Sequence, residues 1–381
     1  MNQSNFSVAI IGAGIGGLAL AVLLKEQGLE VQVYEQAEAF ARVGAGIQMA
    51  PNAMKVLRAL GLESELKTLG FCSPRALSRV WDSAALSSEL PLGAAVEKQY
   101  GAPYLFLHRA DLHTAIASRV PSGVIQMRHK LQAMELLSKG VALSFANGRR
   151  VVADCVVGAD GVHSWVREWM LGAQPAQFTG KVAYRTTFPA SLLPADQVPK
   201  ERTKWWGPDR HVVVYPVTAK RDEIYFVTSQ PEEAHWLTAE SWSAKGDIEA
   251  LKKSFVGFHP DLQAILHAAP QVHKWALFER APLSQWSRGA VTLLGDACHP
   301  MPPYMAQGAA CALEDAMVLS RCLQNASVQT LEANLMRYEA TRKPRTTQIQ
   351  TQSSRNTWLK GETDPTWVYA YDALSTPLVS R

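Results

Sequence analysis

Four apolar, partly β-branched residues, Val8-Ala9-Ile10-Ile11, run into Gly12-Ala13-Gly14-Ile15-Gly16-Gly17 and on into Leu18-Ala19-Leu20-Ala21-Val22-Leu23-Leu24. The first run reads as a buried strand and the last as a packed helix, with a glycine turn between them. Gly12, Gly14 and Gly17 satisfy G-x-G-x-x-G after a strand and at the opening of a helix, the setting that gives the pattern meaning. Gly12 permits the tight turn, Gly14 lets the backbone approach a pyrophosphate, and Gly17 lets helix and strand pack closely. N–H groups of the first helical turn, Ile15 among them, then face the phosphates with the positive end of the helix dipole behind them. A second strand, Val31-Gln32-Val33-Tyr34, ends at Glu35, whose carboxylate suits a pair of ribose hydroxyls. A tight turn without a ligand is the competing reading, and the agreement of strand, glycines, helix and acidic residue tells against it.

The 381 residues allow one large domain or two intimately built ones. A net charge of +4 is too small to argue for nucleic acid or a membrane surface, and it is compatible with a small anionic ligand. The amino terminus lacks a basic stretch before its apolar run, which glycines interrupt, so no export signal is read. No uninterrupted run of eighteen apolar residues suggests a membrane span. Five cysteines, odd in number and without a C-x-x-C pair, point to a reducing cytoplasm with no disulfide framework and no metal site.

Further along, Arg42-Val43-Gly44-Ala45-Gly46-Ile47-Gln48 reads as a loop able to lie against a flat ligand, with Arg42 and Gln48 as its polar groups; a plain linker is the alternative. Pro51 suits the first turn of a helix that Gly61 closes. Tyr104 to His108 is strand-like and turns into a helix with Asp111 as its expected cap; Arg109 sits at the strand's end, where an open sheet binds ligands. At Leu131 only a backbone contact is argued. Val151 to Gly158 reads as one buried strand running into the Asp160-Gly161 turn, which returns the chain to the first sheet and makes that domain discontinuous.

From about Lys181 to Phe278 the texture changes to short alternating strands rich in aromatics, with Tyr184, Trp205, Trp206, Trp236 and Trp242. A period of two places His211, Val213 and Tyr215 on one face of a strand that pairs back along Glu223 to Val227 as a hairpin. A histidine and a tyrosine on one sheet face can bind an acidic ring hydroxyl and take its proton; equally, both can be core residues with satisfied hydrogen bonds. Gly289 to Leu294 returns to a buried strand that ends at Gly295-Asp296. A proline-fixed loop leads to Gly308-Ala309 at the head of a helix reaching about Leu323. Asp296 can accept from a ribitol hydroxyl, that helix end can stabilise negative charge, and His299 is read as structural. The tail is expected to be helical to about Trp358 and then to pack an aromatic segment on the body.

Together, Gly12-x-Gly14-x-x-Gly17 with Glu35, Gly158-Ala159-Asp160-Gly161 and Gly295-Asp296-Ala297-x-His299-Pro300 resemble the three motifs of the class A flavoprotein aromatic hydroxylases. The resemblance spans nearly the whole chain and implies an α/β fold: a Rossmann-like FAD-binding domain of the p-hydroxybenzoate hydroxylase type, residues 1–180 and 279–381. A mixed or antiparallel substrate sheet, 181–278, is inserted in it, and helices complete the carboxyl end. It implies that Glu35, Gln36, Arg42, Gln48, Arg109, Leu131, Asp160, Asp296, Gly308 and Ala309 hold FAD beside the glycine loop. NADH or NADPH is then the reductant and O2 the co-substrate. His211 and Tyr215 would bind and deprotonate a hydroxylated aromatic carboxylate, with Gln48 close by. The ring acid expected is 6-hydroxynicotinate, hydroxylated with loss of its carboxylate; 6-hydroxypicolinate, 3-hydroxybenzoate and salicylate are the alternatives. A flavin-binding protein that hydroxylates nothing is the reading from another class. A monomer or homodimer is expected. Two residues depart from the branch resembled most: Gln48 stands where a histidine is expected beside the flavin, and Arg202 where a smaller residue is.

Overall fold

The computed structural model describes residues 6–42, 44–233 and 244–380; Trp236 and Trp242 lie outside them. The opening strand β1 (Ser7–Ile11) feeds α1 (Ile15–Glu26), and the chain returns as β2 (Glu30–Tyr34). Residues 15–24 of α1 are all buried, as in a helix that is apolar all round. The turn between them needs its glycines. Gly12 adopts φ +105°, where a Cβ would stand 2.4 Å from the Ala159 carbonyl oxygen, and a Cβ on Gly17 would stand 2.2 Å from the Gly12 carbonyl oxygen.

A short strand β3 (Gly46–Met49) then leads to α2 (Pro51–Ala59), begun by its proline and followed by Gly61 at φ +71°. After α3 (Glu63–Leu69) come β4 (Arg75–Val80), β5 (Leu86–Pro91), α4 (Gly93–Tyr100), β6 (Leu105–His108) and α5 (Arg109–Ala117). The cap of α5 is His108 and not Asp111: His108 Nδ1 accepts from Ala110 N at 3.1 Å, while Asp111 in the first turn pairs with Arg42. β7 (Ile125–Gln126), β8 (Leu131–Leu136) and β9 (Val141–Phe145) follow. The stretch expected as one strand from Val151 is two, β10 (Arg150–Ala153) and β11 (Cys155–Gly158). They divide at Asp154, whose carboxylate accepts from both the backbone N–H and the hydroxyl of Ser7 at 2.9 and 2.8 Å.

Past α6 (Trp165–Leu171), capped by Ser164, runs β12 (Gln177–Pro189), at 13 residues longer than the short strands expected there. β13 (Arg202–Trp206), β14 (His211–Pro216), β15 (Glu223–Pro231) and β16 (Lys245–Gly246) precede two helices that the strand-rich pattern did not suggest, α7 (Ile248–Ser254) and α8 (Pro260–Ala268). β17 (Val272–Glu279), β18 (Ser287–Arg288) and β19 (Val291–Leu293) then lead to α9 (Gly308–Leu323), α10 (Leu331–Ser354) and α11 (Thr366–Tyr369). The long helix α10 stops at Ser354, short of the expected Trp358.

Two sheets organise these elements. The first has the order β18-β19-β11-β1-β2-β7 and is parallel except for β18. The second has the order β16-β17-β12-β15-β14-β13-β4-β5 and is antiparallel except where β13 meets β4. Its β4 and β5 come from residues 75–91, so this sheet reaches beyond the 181–278 segment. Helix α1 packs against both the first sheet and α9, and the largest apolar core lies there.

Candidate active site

In a parallel sheet the carboxyl ends of the strands point one way, and ligands collect in the crevice beyond them. Here β1 ends at the glycine turn, β2 at Glu35, β11 at Asp160 and β19 just before Asp296. Glu35 fixes the glycine turn: its carboxylate accepts from Ala13 N and from Ala37 N, both at 2.9 Å. A Cβ on Gly14 would meet nothing within 4 Å, whereas Gly12 and Gly17 have no room for one. The turn thus offers one open backbone face beside the first N–H groups of α1, the shape a pyrophosphate requires. The residues present fit FAD.

The other expected cofactor residues occupy differing environments. Asp160 is committed to its own turn, accepting from Ser164 Oγ at 2.5 Å and Val166 N at 3.0 Å. Arg167 donates to the Val162 carbonyl at 2.7 Å and the Ala297 carbonyl at 2.9 Å, tying that turn to the one that carries Asp296. Burial pushes the Asp296 carboxyl up, and among the described residues no hydrogen bond engages it. Its Oδ1 lies 3.8 Å from where a Cβ on Gly308 would stand, at the head of α9, with Ala309 next in that turn. Arg109 opens α5 and Gln36 is exposed just after Glu35. Leu131 is buried at the start of β8. Arg42 binds Asp111 and lies 3.6 Å from Glu223, bridging the loop after β2 to the second sheet.

A second cavity opens between the face of β13–β15 and the segment around Tyr304 to Ala306, and Trp358, Leu359 and Tyr369 of the tail close its far side. Its lining sets Gln48, Arg202, Lys204, His211 and Ser229 among aromatic and aliphatic side chains, the make-up of a small-ligand site. Strand register dictates what faces it. Trp206 pairs with His211 and Lys204 with Val213; one step on, His211 pairs with Ser229 and Val213 with Val227. His211 is buried, its ring 5.1 Å from Trp206 and 5.5 Å from Tyr304, whose hydroxyl lies 3.0 Å from Ser229 Oγ. Burial, then the nearby Lys204, Lys181 and Arg202, hold its imidazole well below the ordinary value, so it is neutral near pH 7.

Tyr215 shares that strand face but stands apart from His211, behind the cavity wall. Its ring packs on Phe106 at 4.9 Å and Tyr225 at 5.1 Å, and its hydroxyl meets Gln48. Burial pushes that hydroxyl well above the ordinary tyrosine value, which makes it a donor and not a base. Gln48 lines the cavity and accepts from Tyr104 at 2.8 Å, so the tyrosines set its orientation.

Several contributors carried no signal that sequence reasoning used. Tyr104, Ser229, Tyr304 and Tyr369 come from four distant segments. Arg202, Lys204 and Trp206 alternate along β13, and two cations two residues apart in a strand that ends in paired tryptophans were the legible clue. His299 is structural: its Nε2 lies 2.5 Å from Asp315 Oδ2, inside an ion network with Arg342.

A family model described as "FAD binding domain" matches residues 5–353. The chain is 45% identical over 381 residues to 6-hydroxynicotinate 3-monooxygenase of Bordetella bronchiseptica, covering 99% of this chain and 98% of that one. It is 42% identical to the enzyme of the same name from Pseudomonas fluorescens, covering 100% and 98%. Klebsiella pneumoniae HpxO, solved with FAD and uric acid, superposes with a TM-score of 0.83 at 27% identity over 97% of this chain and 92% of that one.

Proposed function

Because the chain belongs to the FAD-binding class A aromatic hydroxylases, which are single-component flavoprotein monooxygenases, we propose that it converts 6-hydroxynicotinate to 2,5-dihydroxypyridine. Similarity over the full length to two enzymes of that activity carries the reading. The balance is 6-hydroxynicotinate anion, O2, NADH (or NADPH) and two protons, giving the dihydroxypyridine, CO2, the oxidised nicotinamide and water. Held by the glycine loop, Glu35 and Asp296, FAD would supply hydride acceptance from the nicotinamide and activation of oxygen.

The chain's own residues supply the rest. Neutral His211 accepts the ring hydroxyl proton, which pushes electron density toward the para carbon that bears the carboxylate. Tyr215 keeps its proton and, with Tyr104, holds Gln48 in one orientation at the cavity wall. Val213, Val227 and Met305 exclude water from the ring. Glu35, Arg109, Asp296, Gly308 and the glycine loop hold the cofactor, and the second sheet with β4 and β5 forms the ring-facing wall. We place this activity in the cytoplasm, on a monomer or homodimer.

The test is substrate-stimulated NADH oxidation in which dihydroxypyridine and CO2 match the NADH consumed. Peroxide formation without product overturns the reading. Gln48 and Arg202 favour a second reading, in which the ring acid is 6-hydroxypicolinate, 3-hydroxybenzoate or salicylate, and the same oxygen-uptake assay run on those acids decides.

A further inference from the structure

Two cations are buried on one face of β13. Arg202 is 5% exposed and Lys204 1%, and both line the cavity. Successive same-face residues of a strand stand roughly 7 Å apart, so the two heads can reach one small anion placed between them. Among the described residues neither forms a salt bridge. Arg202 Nε and Nη1 have no hydrogen-bond partner, and Lys204 Nζ rests 3.7 Å from the centre of the Trp206 ring. The residues that line the cavity with them include no aspartate or glutamate.

Burying an unpaired cation is expensive, and a buried charge persists in a fold when something pairs with it in the working state. Among the described residues no anionic side chain lines the cavity, which leaves its occupant to supply the counter-charge. The neighbouring elements offer tyrosine hydroxyls, from Tyr104, Tyr215 and Tyr369, and none of these carries negative charge near neutral pH because burial raises all three. An aromatic and aliphatic wall receives a ring, and the Arg202–Lys204 end lacks an anion.

We propose that Arg202 and Lys204 form a carboxylate clamp that sets the specificity of this pocket for ring acids, leaving the ring hydroxyl toward His211. The guanidinium supplies planar paired donors and the ammonium a point charge, so a carboxylate is held in orientation as well as by charge. The inference rests on the ring-acid reading above but not on which ring is bound. It assigns a cost as well as a use: in the empty site burial, and then the adjacent Arg202, hold the Lys204 ammonium well below its ordinary range, so the pair destabilises the ligand-free protein and is relieved when an acid enters and favours the charged form.

The test uses the FAD-loaded enzyme and matched acid–amide pairs, 6-hydroxynicotinate with 6-hydroxynicotinamide and 3-hydroxybenzoate with 3-hydroxybenzamide. Dissociation constants are read from the flavin absorbance change on titration. Wild type is expected to prefer each acid it binds over its amide by about 100-fold or more, since each charged hydrogen bond contributes about tenfold or more. Arg202→Met and Lys204→Met should each lose about 10- to 100-fold on the acid and little on the amide, and Arg202→Lys should recover part of the loss. Without ligand, the thermal midpoint of both Met variants should equal or exceed that of wild type.

Equal loss on acid and amide, an acid preference that survives both substitutions, or a lowered midpoint would show these cations to be structural and overturn the clamp. Wild type that binds no acid in the panel overturns it as well. Wild type that ignores 6-hydroxynicotinate but shows the clamp pattern with 3-hydroxybenzoate overturns only the assignment of the ring. Turnover of 6-hydroxynicotinate with undiminished acid preference in the variants overturns only the clamp.

Discussion

His211 and Tyr215 differ in chemistry because they differ in neighbours. The imidazole faces cations across β13 and stays neutral, while the phenol lies among other phenols and keeps its proton. His211→Ala should therefore leave the protein yellow and lower kcat by about 10²–10⁴-fold, measured by coupled NADH oxidation. Loss of FAD instead would make the residue structural. The same depression has a stability consequence. A histidine whose folded pKa lies below its unfolded value of about 6.5 binds fewer protons in the fold, so stability is complete above that pH and declines as pH falls below it. The thermal midpoint of wild type should drop more between pH 6.5 and 5 than that of His211→Gln. At Gln48, replacement by histidine replaces an acceptor set by Tyr104 with a titratable ring; unchanged kinetics there would show that this departure has no bearing on the reaction.

At the scale of the element, the strand–turn–helix unit separates two jobs that one glycine pattern carries. Gly12→Ala and Gly17→Ala each push a methyl into backbone at 2.4 and 2.2 Å, so each should cost about 1–3 kcal/mol or more of folding stability, read by urea unfolding. Gly14→Ala meets open space and should unfold like wild type. It should nevertheless bind FAD more weakly by about tenfold or more, because the added methyl occupies the face a pyrophosphate approaches. Weak FAD binding by all three at equal stability would deny that division. Helix α5 gives the contrary lesson: Asp111 has the chemistry of a cap, yet the helix already begins at Arg109, so His108 holds the cap position and Asp111, inside the first turn, pairs with Arg42.

Across the whole molecule, α2, α9, α10 and the Asp296 turn are joined by buried ions. Arg342 donates to Glu314 and Asp315, each at 2.7 Å, Asn52 donates to Glu314 at 2.7 Å, and Asp315 also holds Gly295 N at 3.1 Å. Against the cost of burial, Arg345, which donates to Glu314 at 2.9 Å, and Arg342 hold the Glu314 carboxyl below its ordinary value, and His299 with Arg342 does the same for Asp315. Arg342→Met would remove one cation from each of two buried carboxylates, leaving Glu314 with Arg345 and Asp315 with His299, and should cost about 3 kcal/mol in urea unfolding. A loss under 1 kcal/mol would show that the network is dispensable. Because Asp315 positions the turn that bears Asp296, the same variant should also weaken FAD.

Local sequence was enough for what neighbouring residues determine among themselves: the glycine turn after β1, the helix begun by Pro51, and the alternation that puts His211, Val213 and Tyr215 on one strand face. Those follow from steric limits and backbone periodicity, which act over a few residues. The eight-stranded sheet that borrows β4 and β5, the division at Asp154, and the cavity built from Tyr104, Tyr304, Trp358 and Tyr369 depended on contacts between segments up to hundreds of residues apart. So did the roles inside that cavity. Whether Arg202 is a surface cation or a buried one without a partner, and whether a tyrosine gives or takes a proton, is set by desolvation and by neighbouring charge, and both exist only once the chain has folded.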